Sequence, residues 1–401
     1  MLKMVDYPYE RPIVHEIVNG LGLKKKLLHI ITGPRQVGKT TAALQIADRW
    51  GGPVVNASAD QALPPGPEWI EAHWQQALRQ TDQNKEEVLL ILDEIQKIKG
   101  WSEVIKGLWD KECHENRGIQ VIILGSASLL IQRGLTESLT GRFFLYRCTH
   151  WGYIEMSKAF GWNMDQWLFY GGYPGAAPLI DQGPVWSRYV TDALIETVLA
   201  KDVFQLQTVA KPALLRNLFL LAAVHPAQIL SYNKMLGQLQ DAGNTTTLAH
   251  YLRLLESAFL ISGLEVFKAG KLVKKGSSPK LIIWNNGLIN ALIGNTFQKV
   301  RDDFSWWGRL VENAVGAHII NHLRDLSYQI YYWRHKGLEV DFVVKSPQYI
   351  YGIEVKSGKS QRLHGMSKFG SEYPNMKPIV IGPGHIEFEA FFSQNPAELF
   401  I

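Results

Sequence analysis

Residues 33–40 read Gly33, Pro34, Arg35, Gln36, Val37, Gly38, Lys39, Thr40, a G-x-x-x-x-G-K-[ST] phosphate-binding loop with no substitution. Its flanks agree with it. Residues 27–32 form a short, mostly apolar run expected to be a strand, and residues 41–47 are expected to be a helix. A triphosphate concentrates negative charge, so many donors must converge on it. Glycines let backbone N–H groups turn inward without Cβ clashes, and the helix that follows adds the positive end of its dipole. Residues 33–40 together with Thr41 are the candidate ATP contacts. Lys39 is expected to reach the β- and γ-phosphates, and the Thr40 hydroxyl to ligand Mg²⁺.

Such a loop needs an acid across from it. Residues 87–94 run Glu-Val-Leu-Leu-Ile-Leu-Asp-Glu, an apolar stretch that ends in Asp93 and Glu94. Continuous apolar residues suit a parallel strand buried on both faces. Asp93 is assigned to Mg²⁺ and Glu94 to the general base that polarises the attacking water. A further apolar strand, 121–124, ends in Gly125, Ser126, Ala127 and Ser128. Ser126, with Ser128 behind it, either orients water against the γ-phosphate or caps the next helix. Arg142, after a Leu-Thr-Gly, is a candidate to stabilise transition-state charge, in its own subunit or a neighbour, and could equally be structural.

Composition sets the outer bounds. The chain has 401 residues, enough for two or three domains, and 46% of them are hydrophobic, which excludes a disordered chain. The net charge of +5 permits nucleic-acid contact without demanding it. Two cysteines, Cys113 and Cys148, are too few for a disulfide framework or a zinc site. The first residues lack an apolar signal core, and no run approaches the ~18 apolar residues of a spanning helix. The expectation is a soluble, cytoplasmic protein without a membrane partner.

Five motifs occur in order: Gly-Pro-Arg-x-x-Gly-Lys-Thr-Thr at 33–41, Leu-Asp-Glu-Ile-Gln at 92–96, Gly-Ser-Ala-Ser at 125–128, Leu-Thr-Gly-Arg at 139–142 and Tyr-Gly-Gly-Tyr-Pro at 170–174. In these the chain resembles, over nearly its whole length, the prokaryotic AAA+-type ATPases that carry a carboxy-terminal domain of unknown function. The resemblance implies ATP binding and leaves the biological role open.

The middle of the chain reads as helices. Residues 186–199 are expected to be one helix, within a connector spanning 161–210. Then come 214–224, 231–240 with Ser231 as a candidate N-cap, and 246–260 after a turn at 241–245. Two short apolar runs, 264–267 and 281–284, are expected to pair as a wing beside a loop holding Lys268, Lys271, Lys274, Lys275 and Lys280. One reading is a DNA-binding winged helix-turn-helix, with Asn244, Thr245, His250 and Arg253 facing bases and the lysines facing phosphates. The other is a winged helix used for domain packing, with its lysines solvated.

The last segment combines an amphipathic helix at 309–320 with strands expected at 329–334, 338–344 and 349–356. Glu354 and Lys356 lie two apart and leave one face of a strand, where Asp341 on a neighbouring strand can join them. Asp…Glu-x-Lys resembles the metal-dependent restriction-endonuclease-like fold, with Glu312 matching its helical acid. The resemblance implies Mg²⁺ on Asp341 and Glu354, with Lys356 orienting water or stabilising charge. Glu354 and Lys356 also fit an ordinary surface pair. Asn285 stands where that family often has an aspartate.

The expected fold class is α/β: a P-loop parallel sheet (1–160), a helical connector (161–210), a winged helix-turn-helix (211–284) and a small α/β restriction-endonuclease-like domain (285–401). Three functions remain open. One is an ATPase whose nucleotide state controls the carboxy-terminal module, acting alone or as a homo-oligomer. The second is an ATP-regulated, metal-dependent nuclease. The third is a DNA- or protein-binding module that uses ATP as a switch.

Overall fold

The computed structural model describes residues 9–23, 26–115, 117–126, 131, 134–135, 137–203, 209–239, 243–268, 277–323, 326–358 and 363–400. Ser128 and Lys271, Lys274 and Lys275 lie outside the described residues, as do positions 24–25 and 241–242. The chain divides into two compact units, Met1–Thr149 and His150–Ile401.

In the first unit, helix α1 (Pro12–Leu21) precedes strand β1 (Leu28–Thr32), which runs through the phosphate loop into α2 (Lys39–Trp50). There follow β2 (Val54–Ser58), α3 (Glu68–Asn84), β3 (Val88–Asp93), α4 (Trp101–Glu115), β4 (Ile119–Gly125) and β5 (Phe143–Arg147). The strands form one sheet in the order β2-β3-β4-β1-β5, with every neighbouring pair parallel. Every residue of β1, β3 and β4 is buried, as a sheet covered on both faces requires. The core packs Trp74, Ile70 and Trp109 from α3 and α4 against Leu90, Leu92 and Val121 of the sheet. Because the strands are parallel, their carboxyl ends share one side. The loop after β1, Asp93 at the end of β3 and Ser126 after β4 are therefore delivered together from three adjacent strands.

The second unit opens with α5 (Tyr153–Phe160) and α6 (Met164–Tyr170), closed by Gly171 at φ 74. The single helix expected at 186–199 is instead α7 (Gly183–Arg188) followed by π-helical turns at Tyr189–Ile195 and Val198–Val203. Next come α8 (Pro212–Ala223), α9 (Tyr232–Gln238), α10 (Thr245–Ser257), β6 (Ile261–Val266) and β7 (Lys280–Ile283). The Ser231 side chain caps α9 as expected, accepting from the Lys234 N–H at 3.2 Å. Asn244, read as a base-facing group, caps α10 by accepting from the Thr247 N–H at 2.8 Å. The chain continues through α11 (Asn286–Ile293), α12 (Phe297–Asp302), α13 (Phe304–Leu323), β8 (Gln329–His335), β9 (Leu338–Lys345), β10 (Ile350–Val355), α14 (His364–Glu372), β11 (Met376–Ile381) and α15 (Phe388–Phe392).

These strands form a single six-stranded sheet in the order β11-β10-β9-β8-β6-β7. The hairpin β6–β7 is antiparallel, and β6 pairs in parallel with β8 through Glu265–Tyr331 and Val266–Tyr332. The hairpin expected to close the segment ending at 284 is thus hydrogen-bonded into the sheet of the segment that follows. Asn313 on α13 ties the helix to this sheet. Its amide accepts from the Ile283 N–H (3.0 Å) and donates to the Ile283 carbonyl and the Asn286 Oδ1 (2.8 Å each). Among the described residues no helix is long and apolar enough to cross a membrane.

Candidate functional site

The phosphate loop is held open by its glycines. Gly38 takes φ 88 as the residue just before α2, a left-handed value that penalises other side chains. Gly33 passes so close to the chain that a Cβ there would lie 1.9 Å from the Cys148 carbonyl oxygen. Helix α2 consequently begins at Lys39, two residues earlier than expected, so Lys39 and Thr40 form its first turn.

Lys39 is buried, and its ammonium donates to the carbonyls of Gly33 (3.1 Å) and Pro34 (2.6 Å). The Thr40 hydroxyl donates to Asp93 Oδ2 at 2.8 Å, and the Glu94 N–H to Asp93 Oδ1 at 2.8 Å. Burial pushes the Asp93 carboxyl above the usual carboxylate range and Glu94 adds to this, while the Thr40 and Glu94 hydrogen bonds and Lys39 pull it back. Glu94 itself sits at φ 54, a left-handed conformation unusual for a residue with a side chain. Its Oε2 accepts from the Gln96 amide (2.7 Å) and the Ser126 hydroxyl (3.3 Å). Arg35, Gln36, Gly38, Lys39, Thr40, Thr41, Asp93, Glu94 and Ser126 line one polar cleft of about 740 Å³ with Ser58 and Asp60. Pro34 and Val37 shape the loop; Val37 is buried and its carbonyl accepts from Arg11 at 3.2 Å.

The donor set fits a magnesium-bound triphosphate. An ammonium bonded to exchangeable carbonyls, a hydroxyl beside an acid and a helix start converge on open space. Gln96 was missed as a site residue. It belongs to the Asp-Glu-Ile-Gln run, but the need for a donor on Glu94 shows only once the turn after β3 folds back. Arg142 does not line the cleft. Its guanidinium forms a two-pronged pair with Asp110 on α4 (2.6 and 3.0 Å) on the surface of the first unit.

The second cluster lies in the other unit. The Lys280 ammonium, at the first position of β7, is fully buried between Glu312 on α13 (2.5 Å), Glu339 on β9 (3.0 Å) and Asp341 on β9 (3.7 Å). Carboxylate oxygens of these three acids lie within 4.8 Å of one another. Burial alone would depress the Lys280 pKa; Glu312, Asp341 and Glu339 reverse it and hold the ammonium above its ordinary value. Burial pushes the Glu312 carboxyl up, against the pull of Lys280. The expectation that Lys280 belongs to an exposed, phosphate-facing loop is therefore corrected, because the strand turns it inward onto the acids.

Glu354 and Lys356 stand beside this cluster rather than in it. Lys356 Nζ bonds Glu354 Oε1 at 2.7 Å, and Glu354 Oε2 is buried without a hydrogen-bond partner among the described residues. Burial, then Asp341, raises the Glu354 pKa. Asp341 Oδ2 accepts from the Val355 N–H at 2.7 Å, which fixes β9 to the end of β10. Glu339 was missed; alternation along β9 puts it on the same face as Asp341. Asn285 caps α11, its Oδ1 accepting from the Gly287 N–H at 2.9 Å.

Residues 25–156 match the family model of an AAA domain. The first unit carries an ATP-binding P-loop domain of the AAA type. Residues 161–299 and 307–394 match two domains of unknown function, DUF8612 and DUF4143. Among curated proteins, the chain is 26% identical over 339 residues to an uncharacterized protein of Mycobacterium tuberculosis, covering 82% of this chain and 69% of that one. It is 22% identical over 375 residues to an uncharacterized protein of Haemophilus influenzae, covering 88% of each. A Walker-type ATPase of Pyrococcus abyssi superposes with a TM-score of 0.48 at 12% identity, over 71% of this chain and 96% of that one.

Proposed function

We propose that the chain is a magnesium-dependent ATP hydrolase whose nucleotide state controls the carboxy-terminal unit. The observation that carries this reading is the convergence of Lys39, Thr40, Asp93, Glu94 and Ser126 on one cleft. Lys39 exchanges its bonds to the Gly33 and Pro34 carbonyls for phosphate oxygens. Thr40 and Asp93 are the residues that would hold Mg²⁺, which supplies neutralisation of phosphate charge. Glu94 takes the proton of the water that attacks the γ-phosphorus, as ADP leaves. Gln96 and Ser126 set the direction of the Glu94 carboxylate. Lys39→Ala should abolish Mg-ATP binding by calorimetry; tight binding that survived it would refute the site assignment.

Two observations favour readings of the second unit. Helices α8, α9 and α10 followed by the β6–β7 hairpin support the winged helix, with DNA as its partner through α10 and the lysine-rich loop. The gathering of Glu312 and Asp341, with Glu354 and Lys356 alongside, supports a metal-dependent nuclease. That reading predicts cleavage of DNA or RNA in Mg²⁺ or Mn²⁺ that Asp341→Ala removes; equal cutting by the variant would end it. Arg142 serves a neighbouring subunit of a homo-oligomer or only the surface of its own. We place the protein in the cytoplasm.

A further inference from the structure

We propose that Lys280 is the built-in cation of the Glu312–Glu339–Asp341 centre, filling the position of a divalent ion, so that the centre accepts a metal only when this lysine is withdrawn or replaced. Three carboxylates from two elements, α13 and β9, would repel one another at these separations unless a positive charge stood among them. The ammonium that does so arrives on a third element, β7. Its reach is fixed rather than adjustable. The Lys280 backbone bridges Ile229, and the Asn313 amide grips the backbone at Ile283, three residues along the same strand. The side chain is fully buried, and its ammonium lies 5.0 Å from the Phe342 ring centroid. A solvated surface lysine wanders; this one is held against three acids with no room left for hydration. The donors that the centre offers, carboxylate oxygens alone, are those a hard divalent cation takes. In the arrangement described, the nearest oxygen of each acid is already committed to Lys280.

The inference extends beyond ATP hydrolysis and opposes the nuclease reading, which needs the lysine to leave. It is tested with the nucleotide-free full chain and Mn²⁺, followed by calorimetry and by the electron paramagnetic resonance signal of free Mn²⁺. Asp341→Asn in each background subtracts any ion held elsewhere. Lys280→Met should bind one Mn²⁺ per chain at least ~tenfold more tightly than wild type. Lys280→Met with Asp341→Asn should lose it, and wild type should match Asp341→Asn alone. Asp341-dependent Mn²⁺ binding by wild type that Lys280→Met does not tighten overturns the proposal. So does a folded Lys280→Met chain with no such binding. If Lys280→Met folds only in Mn²⁺, and the double variant does not, the proposal stands; failure of both to recover in Mn²⁺ counts against it. Because no nucleotide is present, the outcome is independent of whether Lys39 binds ATP.

Discussion

Lys39 and Lys280 are both buried ammonium groups near acids, and they are built for opposite purposes. Lys39 rests on two neutral carbonyls at the edge of an open polar cleft. Those bonds give way at little cost when a better acceptor arrives, because the carbonyls are only modest partners. Lys280 rests on three carboxylates with none of its own surface exposed. Its charge is already spent on neutralisation. The contrast shows that a buried lysine near acids reveals little until the charge of its own acceptors is known. Neutral acceptors leave it available for an anionic ligand, whereas carboxylate acceptors make it part of the framework.

The largest effect expected is on turnover. Glu94→Gln should lower phosphate release by ~10²–10⁴-fold while Mg-ATP affinity is kept, as befits loss of a general base. Unchanged release would remove Glu94 from the chemistry and weaken the claim that the Lys39 cleft is a reaction site.

The next prediction bears on the lysines themselves. Lys280→Met leaves three acids uncompensated and should destabilise the nucleotide-free chain by about 3–5 kcal/mol in urea unfolding without added metal. Lys39→Met frees the Gly33 and Pro34 carbonyls, which can turn to water, and should cost less, under ~1.5 kcal/mol. Equal costs would erase the distinction drawn above. Asn313→Ala strands the Ile283 N–H and carbonyl and should cost about 1–3 kcal/mol, with the loss concentrated in the second unit's unfolding step.

His29 offers a finer probe of the first unit. The ring is buried on β1 against the Tyr146 hydroxyl (3.1 Å), and burial lowers its pKa from 6.5 to about 4. Between those values the unfolded chain binds a proton that the native chain refuses, so stability falls as pH drops from 6.5 towards 4. The slope from this residue is at most ~1.4 kcal/mol per pH unit. His29→Gln should flatten the pH dependence of the first unit's unfolding midpoint over that range; an unchanged slope would assign the proton elsewhere. The smallest effect expected is from Arg142→Ala in dilute protein, whose turnover should match wild type, since the side chain pairs with Asp110 outside the cleft. A deficit that appears only as concentration rises would identify a role across a subunit boundary.

Much of this was legible in the sequence where chemistry and spacing are local. The loop at 33–40 and the strand that ends at Asp93 follow from motif and periodicity, and the pairing expected of 264–267 with 281–284 is met with shifted bounds, 261–264 against 280–283. The helices expected at 214–224 and 309–320 are found at 212–223 and 304–323, the second five residues longer at its start. What remained hidden depends on side chains from distant elements meeting in space. Lys280 follows a lysine-rich stretch and reads as solvated, yet β7 carries it inward to acids 32, 59 and 61 positions away. Glu339 and Gln96 look like ordinary polar residues until β9 and the turn after β3 set their directions. The π-helical turns at 189–203 left no mark on the apolar spacing.

The six-stranded sheet has a practical consequence. Because β6 zips onto β8, dividing the protein at the junction before Asn285 would tear a ladder rather than cut a tether. Each half would be left with a raw strand edge, prone to stick to its own kind. It also ties the hairpin strands to the rest of the sheet. A load applied to the three preceding helices would be carried along β7 to the very backbone from which Lys280 hangs. A shift of those helices would then reach the acid centre through the backbone of β7 itself.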